Sequence, residues 1–200
     1  MSGITTWCRI TDKAVYVNGK RVFDGEINED FLLEVYRFLK IDYPKFHKMD
    51  KLSKTGFLGA ELIKKYSKTI ATYADDGIAL LFANRHSSSE VDARFERSYK
   101  EGGMPSPALF VYTLPNIVIG EIAIRNKWYG ENLIMVAEAF DAGSYITQCE
   151  LFLEKKAKAV LAGWINVSGK TDAFLFFAEN TTGEGATALT AEALNNMYKL

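Results

Sequence analysis

The segment Gly77-Ile78-Ala79-Leu80-Leu81-Phe82-Ala83 decides the fold class of this 200-residue chain. Its apolar side chains follow one another without a polar residue, which is typical of a strand that is covered on both faces. Each face of such a strand has to be buried against another layer of secondary structure. We therefore predict an α/β layered domain around this strand, and a single domain over residues 1–200.

Strand-like and helix-like patterns alternate on both sides of this segment. Helices are predicted over residues 50–69, 90–100, 116–126, 143–156 and 187–200. Strands are predicted over residues 4–10, 14–23, 133–137, 159–166 and 172–178, with a turn at Asn18-Gly19. This alternation indicates a mixed sheet covered by helices.

Composition and charge exclude several classes of protein. The chain is 48% hydrophobic, which is enough for a sizeable core, and its formal charge of −1 argues against a dedicated nucleic-acid binder. Its apolar runs fall well short of the roughly 20 residues that a membrane span needs. The first residues show no secretory signal, so we expect a cytoplasmic protein.

The residue types that most often bind metals or attack substrates are sparse. Cys8 and Cys149 match no metal-ligand or CxxC spacing, and His47 and His86 are isolated in the sequence. We therefore expect no metal site and no cofactor.

Several motifs occur in an order that carries more information than any one of them. The first is Tyr43-Pro44-Lys45-Phe46-His47-Lys48-Met49-Asp50-Lys51-Leu52-Ser53-Lys54, which leads to Gly59-Ala60-Glu61. The second is Ser106-Pro107-Ala108-Leu109-Phe110-Val111-Tyr112-Thr113-Leu114-Pro115-Asn116, followed by Tyr129-Gly130 and by Leu161-Ala162-Gly163. Together they resemble the N-terminal half of β-ketoacyl synthases, the condensing enzymes of fatty-acid and polyketide synthesis.

The resemblance implies a thiolase-like layered fold, present as a single N-terminal half, with a nucleophile at the turn that follows residues 133–137. In the family this nucleophile is a cysteine, whereas the matching stretch here reads Glu138-Ala139-Phe140-Asp141-Ala142-Gly143. Phe140 falls at the nucleophile position, and one residue of slack would place Ala139 there instead. The family also uses two histidines from its C-terminal half, which we expect this chain to lack. The resemblance thus implies no catalytic residue.

Two alternatives stay open around this turn. Glu138 and Asp141 could form an acid–base pair, or Asp141 could cap the helix that follows, since a carboxylate accepts the free N–H groups of a first turn. Cys149 could be a relocated nucleophile or a packed thiol inside that helix.

The resemblance also implies partners. In the family the strand before the nucleophile pairs with its counterpart across a dimer, so Leu133 and Met135 are candidate contacts with a ketosynthase in a homo- or heterodimer. We also expect a half-fold to expose apolar surface that a second half would cover. Carrier proteins present an acidic helix, which the candidate residues Lys45, Lys48, Lys51 and Lys54 could attract, although these lysines could equally be a solvated surface.

Three functions follow from these observations. The first is a non-catalytic subunit that associates with an active ketosynthase or an acyl carrier protein in fatty-acid or polyketide-type synthesis, for example of aryl polyene pigments. The second is an acyltransferase of the 3-oxoacyl synthase type that uses unrecognised residues. The third is a small-molecule binding module with a pocket near Phe110, Tyr112 and Phe140.

Overall fold

The computed structural model describes residues 2–26, 30–100, 103–181 and 185–200, and it confirms the α/β class. An eight-stranded sheet has the order β3-β2-β1-β7-β6-β4-β5, with β8 also paired to β1. Strand β4 runs parallel to β5 and β6, whereas β7 runs antiparallel to β6 and β1. The strands are β1 (Ser2–Thr11), β2 (Ala14–Val17), β3 (Lys20–Asp24), β4 (Ile78–Asn84), β5 (Asn132–Val136), β6 (Ala159–Asn166), β7 (Asp172–Asn180) and β8 (Thr187–Ala188).

Helices cover both faces of this mixed sheet. They are α1 (Phe31–Phe38), α2 (Lys51–Tyr66), α3 (Ser89–Lys100), α4 (Pro107–Val111), α5 (Ile117–Asn126), α6 (Ala142–Lys155) and α7 (Ala191–Lys199), with 3₁₀ turns at Pro44–Lys48 and Ile70–Thr72. One apolar cluster joins the sheet to α1, α2 and α5. A second cluster joins it to α6 and α7. We call these two sides of the sheet the α2 face and the α6 face.

Strand β4 is buried along its whole length, as its unbroken apolar sequence predicts. Its side chains alternate between the two faces because successive residues of a strand point in opposite directions. Leu80 and Phe82 belong to the α2 face, and Leu81 and Ala83 belong to the α6 face.

Two glycines of the sequence motifs are explained by close packing around Leu175 of β7. A Cβ added to Gly163 of β6 would lie 2.8 Å from Leu175 Cγ and 2.8 Å from Phe82 Cε1. A Cβ added to Gly59 of α2 would lie 2.6 Å from Leu175 Cδ2. The Leu175 side chain therefore fills the space that these two residues leave open, one on the helix and one on the neighbouring strand.

Two predictions concern the N-terminal hairpin and the C-terminal helix. The Asn18-Gly19 turn is confirmed, and both residues have the positive φ angles, 48° and 78°, that a tight hairpin turn requires. The helix predicted from residue 187 is wrong at its start, because Thr187 and Ala188 pair with Ile4 and Gly3 along the edge of β1 that β2 leaves free. Helix α7 begins only at Ala191, after Thr190 has capped it.

None of the helices in the described part of the chain is both long and apolar enough to cross a membrane.

The packing around Leu175 predicts that Gly163→Ala lowers the free energy of unfolding by about 1–3 kcal/mol, because the added methyl group overpacks a filled core. Gly120→Ala is the matched control, since a Cβ at Gly120 meets no atom within 4 Å and alanine favours a helix by about 1 kcal/mol over glycine. Urea unfolding of both variants measures the difference. Equal stability of Gly163→Ala and the unchanged chain would contradict this packing.

Candidate functional site

The turn between β5 and α6 is the place where the family resemblance puts a nucleophile. Asp141 ends this turn and caps α6, since its carboxylate accepts hydrogen bonds from the backbone N–H groups of Gly143, at 3.2 Å, and Ser144, at 3.1 Å. The Ser144 hydroxyl donates a third hydrogen bond, which is the main reason that the pKa of Asp141 is lowered. The predicted cap is therefore confirmed. Glu138 is exposed, and the capping role of Asp141 leaves no support for an acid–base pair.

Phe140 lies at this turn within a group of aromatic rings, which we call the turn cluster: Phe140, Tyr145, Phe174 and Tyr198. The Phe140 ring stacks on Tyr198 with a centroid distance of 4.4 Å and on Tyr145 with 5.2 Å. It meets Phe174 edge to face at 5.5 Å. The half-buried ring thus packs into the α6 face and provides no nucleophilic atom at this position.

Polar contacts hold Tyr198 in the turn cluster. Its hydroxyl donates a hydrogen bond to Asp172 Oδ2 at 2.5 Å, and Arg9 pairs with Asp172 Oδ1 at 2.7 Å. The Arg9 guanidinium also lies 4.7 Å from the centre of the Tyr198 ring. Burial and the Asp172 carboxylate raise the pKa of Tyr198, so its hydroxyl stays protonated and keeps donating.

Both cysteines are packed in the core. Cys149 lies in α6 and belongs to the α6 face, whereas Cys8 lies in β1 and belongs to the α2 face. Burial raises the pKa of each thiol to about 12. A thiol attacks as its anion, so neither cysteine has the form that a nucleophile needs near neutral pH. The structure thus supports the packed-thiol alternative for Cys149.

One histidine contacts an aromatic ring and the other an amide side chain. His47 is in the first 3₁₀ turn and meets the ring of Tyr36 edge to face at 5.5 Å. His86 follows β4, and its Nδ1 lies 3.0 Å from Asn166 Oδ1. Within the described residues, neither imidazole is hydrogen-bonded to a cysteine.

Glu121 is a buried acid that the sequence analysis did not single out. Its side chain is 4% exposed, pairs with Lys45 Nζ at 2.8 Å and accepts a hydrogen bond from the Tyr112 hydroxyl at 3.2 Å. The helical periodicity of the sequence predicts its burial, because Glu121 falls between Val118 and Ile122 on the apolar side of α5. The charge of Lys45 is therefore paired with Glu121 within the chain.

The other three candidate lysines border one cavity of about 900 Å³ on the α2 side. Lys51 Nζ donates to the carbonyl oxygen of Val167 at 3.1 Å, and Lys54 Nζ lies 5.7 Å from the centre of the Phe46 ring. Lys48 is exposed. Arg94 of α3 joins them at the cavity, although the sequence analysis did not connect it with this cluster.

Strand β5 forms one edge of the sheet. Among the described strands it pairs with β4 alone, so its other edge is open. Leu133 and Met135 point into the α6 face and are half-buried, whereas Val136 is 59% exposed at the end of the strand. The backbone of β5 and Val136 are therefore more accessible than the two predicted side chains.

Part of the exposed apolar surface is on α3, α4 and the segment that follows, where we define the α3–α4 patch as Tyr99, Phe110, Val111 and Leu114. Phe110 is 60% exposed and contacts Phe95 at a centroid distance of 5.5 Å. By contrast, Leu194 and Met197 of α7 cover part of the α6 face. The expectation that a second half would cover exposed apolar surface stays a prediction.

The pocket predicted near Phe110, Tyr112 and Phe140 is wrong. Tyr112 packs against the α2 face and lines the 900 Å³ cavity, whereas Phe140 packs on the opposite side of the sheet. Phe110 belongs to the exposed α3–α4 patch. The sheet therefore lies between Tyr112 and Phe140.

Neither a protein-family model nor a curated protein matches this chain. Solved structures do. A chain of the complex of the ketosynthase ApeO with its chain length factor ApeC from Xenorhabdus doucetiae matches with a TM-score of 0.64 and 13% identity, over 99% of this chain and 90% of that chain.

Two further structures give a similar result. The ishigamide ketosynthase/chain length factor matches with a TM-score of 0.65 and 14% identity, over 92% of this chain and 63% of that chain. A β-ketoacyl synthase from Burkholderia phymatum STM815 matches with a TM-score of 0.64 and 11% identity, over 90% of this chain and 59% of that chain. This chain thus spans about three fifths of the length of these two, and nearly the whole length of the first. The chain has the thiolase-like fold of the β-ketoacyl synthases.

Proposed function

We propose that this chain is a non-catalytic, β-ketoacyl-synthase-like subunit that associates with an active ketosynthase in polyketide-type synthesis. The observation that carries this proposal is Phe140 at the β5–α6 turn, packed between Tyr145 and Tyr198. Condensation needs a thiolate at this turn, where the N-terminus of a helix would stabilise the anion. A phenyl ring cannot accept an acyl group.

The solved relatives support a role beside a ketosynthase. Two of them are complexes or pairs of a ketosynthase with a chain length factor. The chain matched in the ApeO–ApeC complex is covered to 90%, so the two proteins are of similar length along the matched fold. A subunit of this kind would shape the pocket of its partner without performing the chemistry itself.

Two accessible features are suited to association. The open edge of β5 has no charged residue between Asn132 and Val136, and free N–H and C=O groups of an uncharged edge strand readily pair with another strand. The α3–α4 patch lies after β4, whose last residue, Asn84, is directly beside Val136. The patch is thus a second accessible surface beside the open edge, and we propose that both contact the ketosynthase.

A carrier protein is the second partner in this proposal. Lys48, Lys51 and Lys54 come from the first 3₁₀ turn and from the N-terminal part of α2, and all three border one cavity. Such a group of positive charges attracts an acidic helix, and the attraction weakens with salt. Lys45 is left out of this surface because Glu121 holds it.

The proposal predicts that both thiols of the native chain are inert. We expect no reaction of Cys8 or Cys149 with a thiol reagent at pH 8, and no covalent adduct by mass spectrometry after incubation with an acyl-coenzyme A, because burial keeps both thiols protonated. Unfolding in denaturant is the control and should release two reactive thiols. An acyl adduct on either cysteine of the native chain would favour the acyltransferase alternative instead.

Association with the ketosynthase is predicted to depend on the open edge of β5 and on the α3–α4 patch. We expect Val136→Lys and Phe110→Glu each to weaken copurification with a coexpressed ketosynthase by about tenfold or more, because a charge would be buried at the contact. Leu151→Lys is the matched control, since Leu151 is exposed on α6 and belongs to neither feature. An unchanged chain that stays monomeric and retains no ketosynthase would contradict the proposed function.

Carrier binding is predicted to depend on the three lysines at the cavity. Reversing two charges in a Lys48→Glu, Lys51→Glu double variant should abolish binding of an acyl carrier protein, whereas Lys68→Glu, an exposed lysine outside the cavity, should not. Titration at two salt concentrations measures both effects. Binding that is unchanged by the double variant would remove these lysines from the proposed interface.

A further inference from the structure

The cavity of about 900 Å³ beside α2 combines apolar side chains with four cationic side chains, none of which is ion-paired to a carboxylate within the described residues. We propose that this cavity binds an amphipathic anion, that is, a molecule with a hydrocarbon chain and one anionic head group. This inference goes beyond the proposed function, because it concerns the isolated chain and requires neither a ketosynthase nor a carrier protein.

The walls are suited to a hydrocarbon chain. They come from α1, from the first 3₁₀ turn with the residue after it, and from α4, and their apolar members are Phe31, Leu32, Leu33, Phe46, Met49 and Leu109. The volume lies within the range of about 300–1,000 Å³ that is typical of small-molecule pockets. Such pockets usually have apolar walls with a few polar groups converging on them, and in this cavity charged side chains share the lining with the apolar ones.

The positive and negative side chains at the cavity are equal in number but differ in their hydrogen-bond partners. Four cationic side chains border it, and so do four carboxylates: Lys48, Lys51, Lys54 and Arg94, and Asp12, Asp30, Asp50 and Glu90.

Two of the carboxylates are committed to the backbone. Asp12 accepts a hydrogen bond from the N–H of Thr171 at 2.9 Å, and both oxygens of Asp50 accept hydrogen bonds from the first turn of α2. Lys48 and Arg94, in contrast, form no ion pair or hydrogen bond with any described residue. The cavity therefore offers two cationic side chains to an anionic head group, beside the carboxylates of Asp30 and Glu90.

The position of Lys54 indicates where head group and chain would meet. Its ammonium group lies 5.7 Å from the centre of the Phe46 ring, so a positive charge and an apolar wall are in direct contact. Lys51 uses one of its three N–H donors on the carbonyl oxygen of Val167 and has the others available. An anion near these two lysines would leave its chain against Phe46 and the neighbouring apolar side chains.

This site is separate from the turn cluster. The cavity lies on the α2 side of the sheet, and Phe140 is not among its lining residues. A ligand in this cavity would thus contact neither Phe140 nor the two cysteines.

Isothermal titration of the full chain with four probes tests the proposal. We expect saturable binding, with one molecule per chain, of decanoate or of decyl phosphate, and the tighter of the two identifies a carboxylate or a phosphate as the preferred head group. Acetate, which lacks the chain, and decyltrimethylammonium, which carries the opposite charge, should not bind. Absence of saturable binding by both decyl anions, or equally tight binding of the cationic probe, would overturn the proposal.

Two variants assign the binding to this cavity. Arg94→Ala should raise Kd about tenfold, because it removes one charge-assisted hydrogen bond, and Arg37→Ala, an exposed arginine of α1 outside the cavity, should leave Kd unchanged. Ala108 is exposed at the border of the cavity, so Ala108→Trp should fill the cavity and abolish binding. The melting temperature of this variant checks that the fold is kept. Full binding by a folded Ala108→Trp variant would place the ligand elsewhere and refute the assignment. None of these outcomes depends on whether a ketosynthase binds.

Discussion

The close approach of α2 to the sheet at Leu175 is the constraint on which the functional surfaces depend. Gly59 and Gly163 leave room for the Leu175 side chain, and this allows the helix to lie directly on β7 and β6. The position of the helix also sets the position of its N-terminus at the border of the cavity. There Asp50 caps the first turn, and Lys51 and Lys54 line the cavity. A core leucine and two residues without side chains thus determine where the positive charges lie, although none of these three residues carries a charge itself.

In the turn between β5 and α6, the backbone and the side chains have different roles. Its backbone joins the end of a strand to the capped N-terminus of a helix, and Glu138 and Asp141 are exposed there. Its side chains are used for packing, because Phe140 stacks on Tyr145 and Tyr198 and because Asp141 caps the helix. Under the proposed function, the side chain at this turn contributes to packing and holds no thiolate. This is consistent with a subunit that leaves the chemistry to a partner.

The two edges of the sheet differ in a way that bears on association. Strand β3 begins with the charged residues Lys20 and Arg21 and ends with Asp24, and charges at an edge discourage pairing with another strand. Strand β5 carries no charge and ends at the exposed Val136. The sheet therefore has one protected edge and one that is open to a partner, and the exposed α3–α4 patch follows the strand next to the open edge.

The sequence by itself determined the fold class, most element bounds and the cap at Asp141, because these depend on local periodicity and on hydrogen bonds between near neighbours. The order of the motifs also led to the thiolase-like fold that the solved structures share. Only the tertiary structure decided that Lys45 is paired with Glu121, that Arg94 joins the other lysines and that Phe140 and Tyr112 lie on opposite faces of the sheet. These contacts join segments far apart in the chain, and the packing of helices on the sheet, which no local pattern encodes, brings them together.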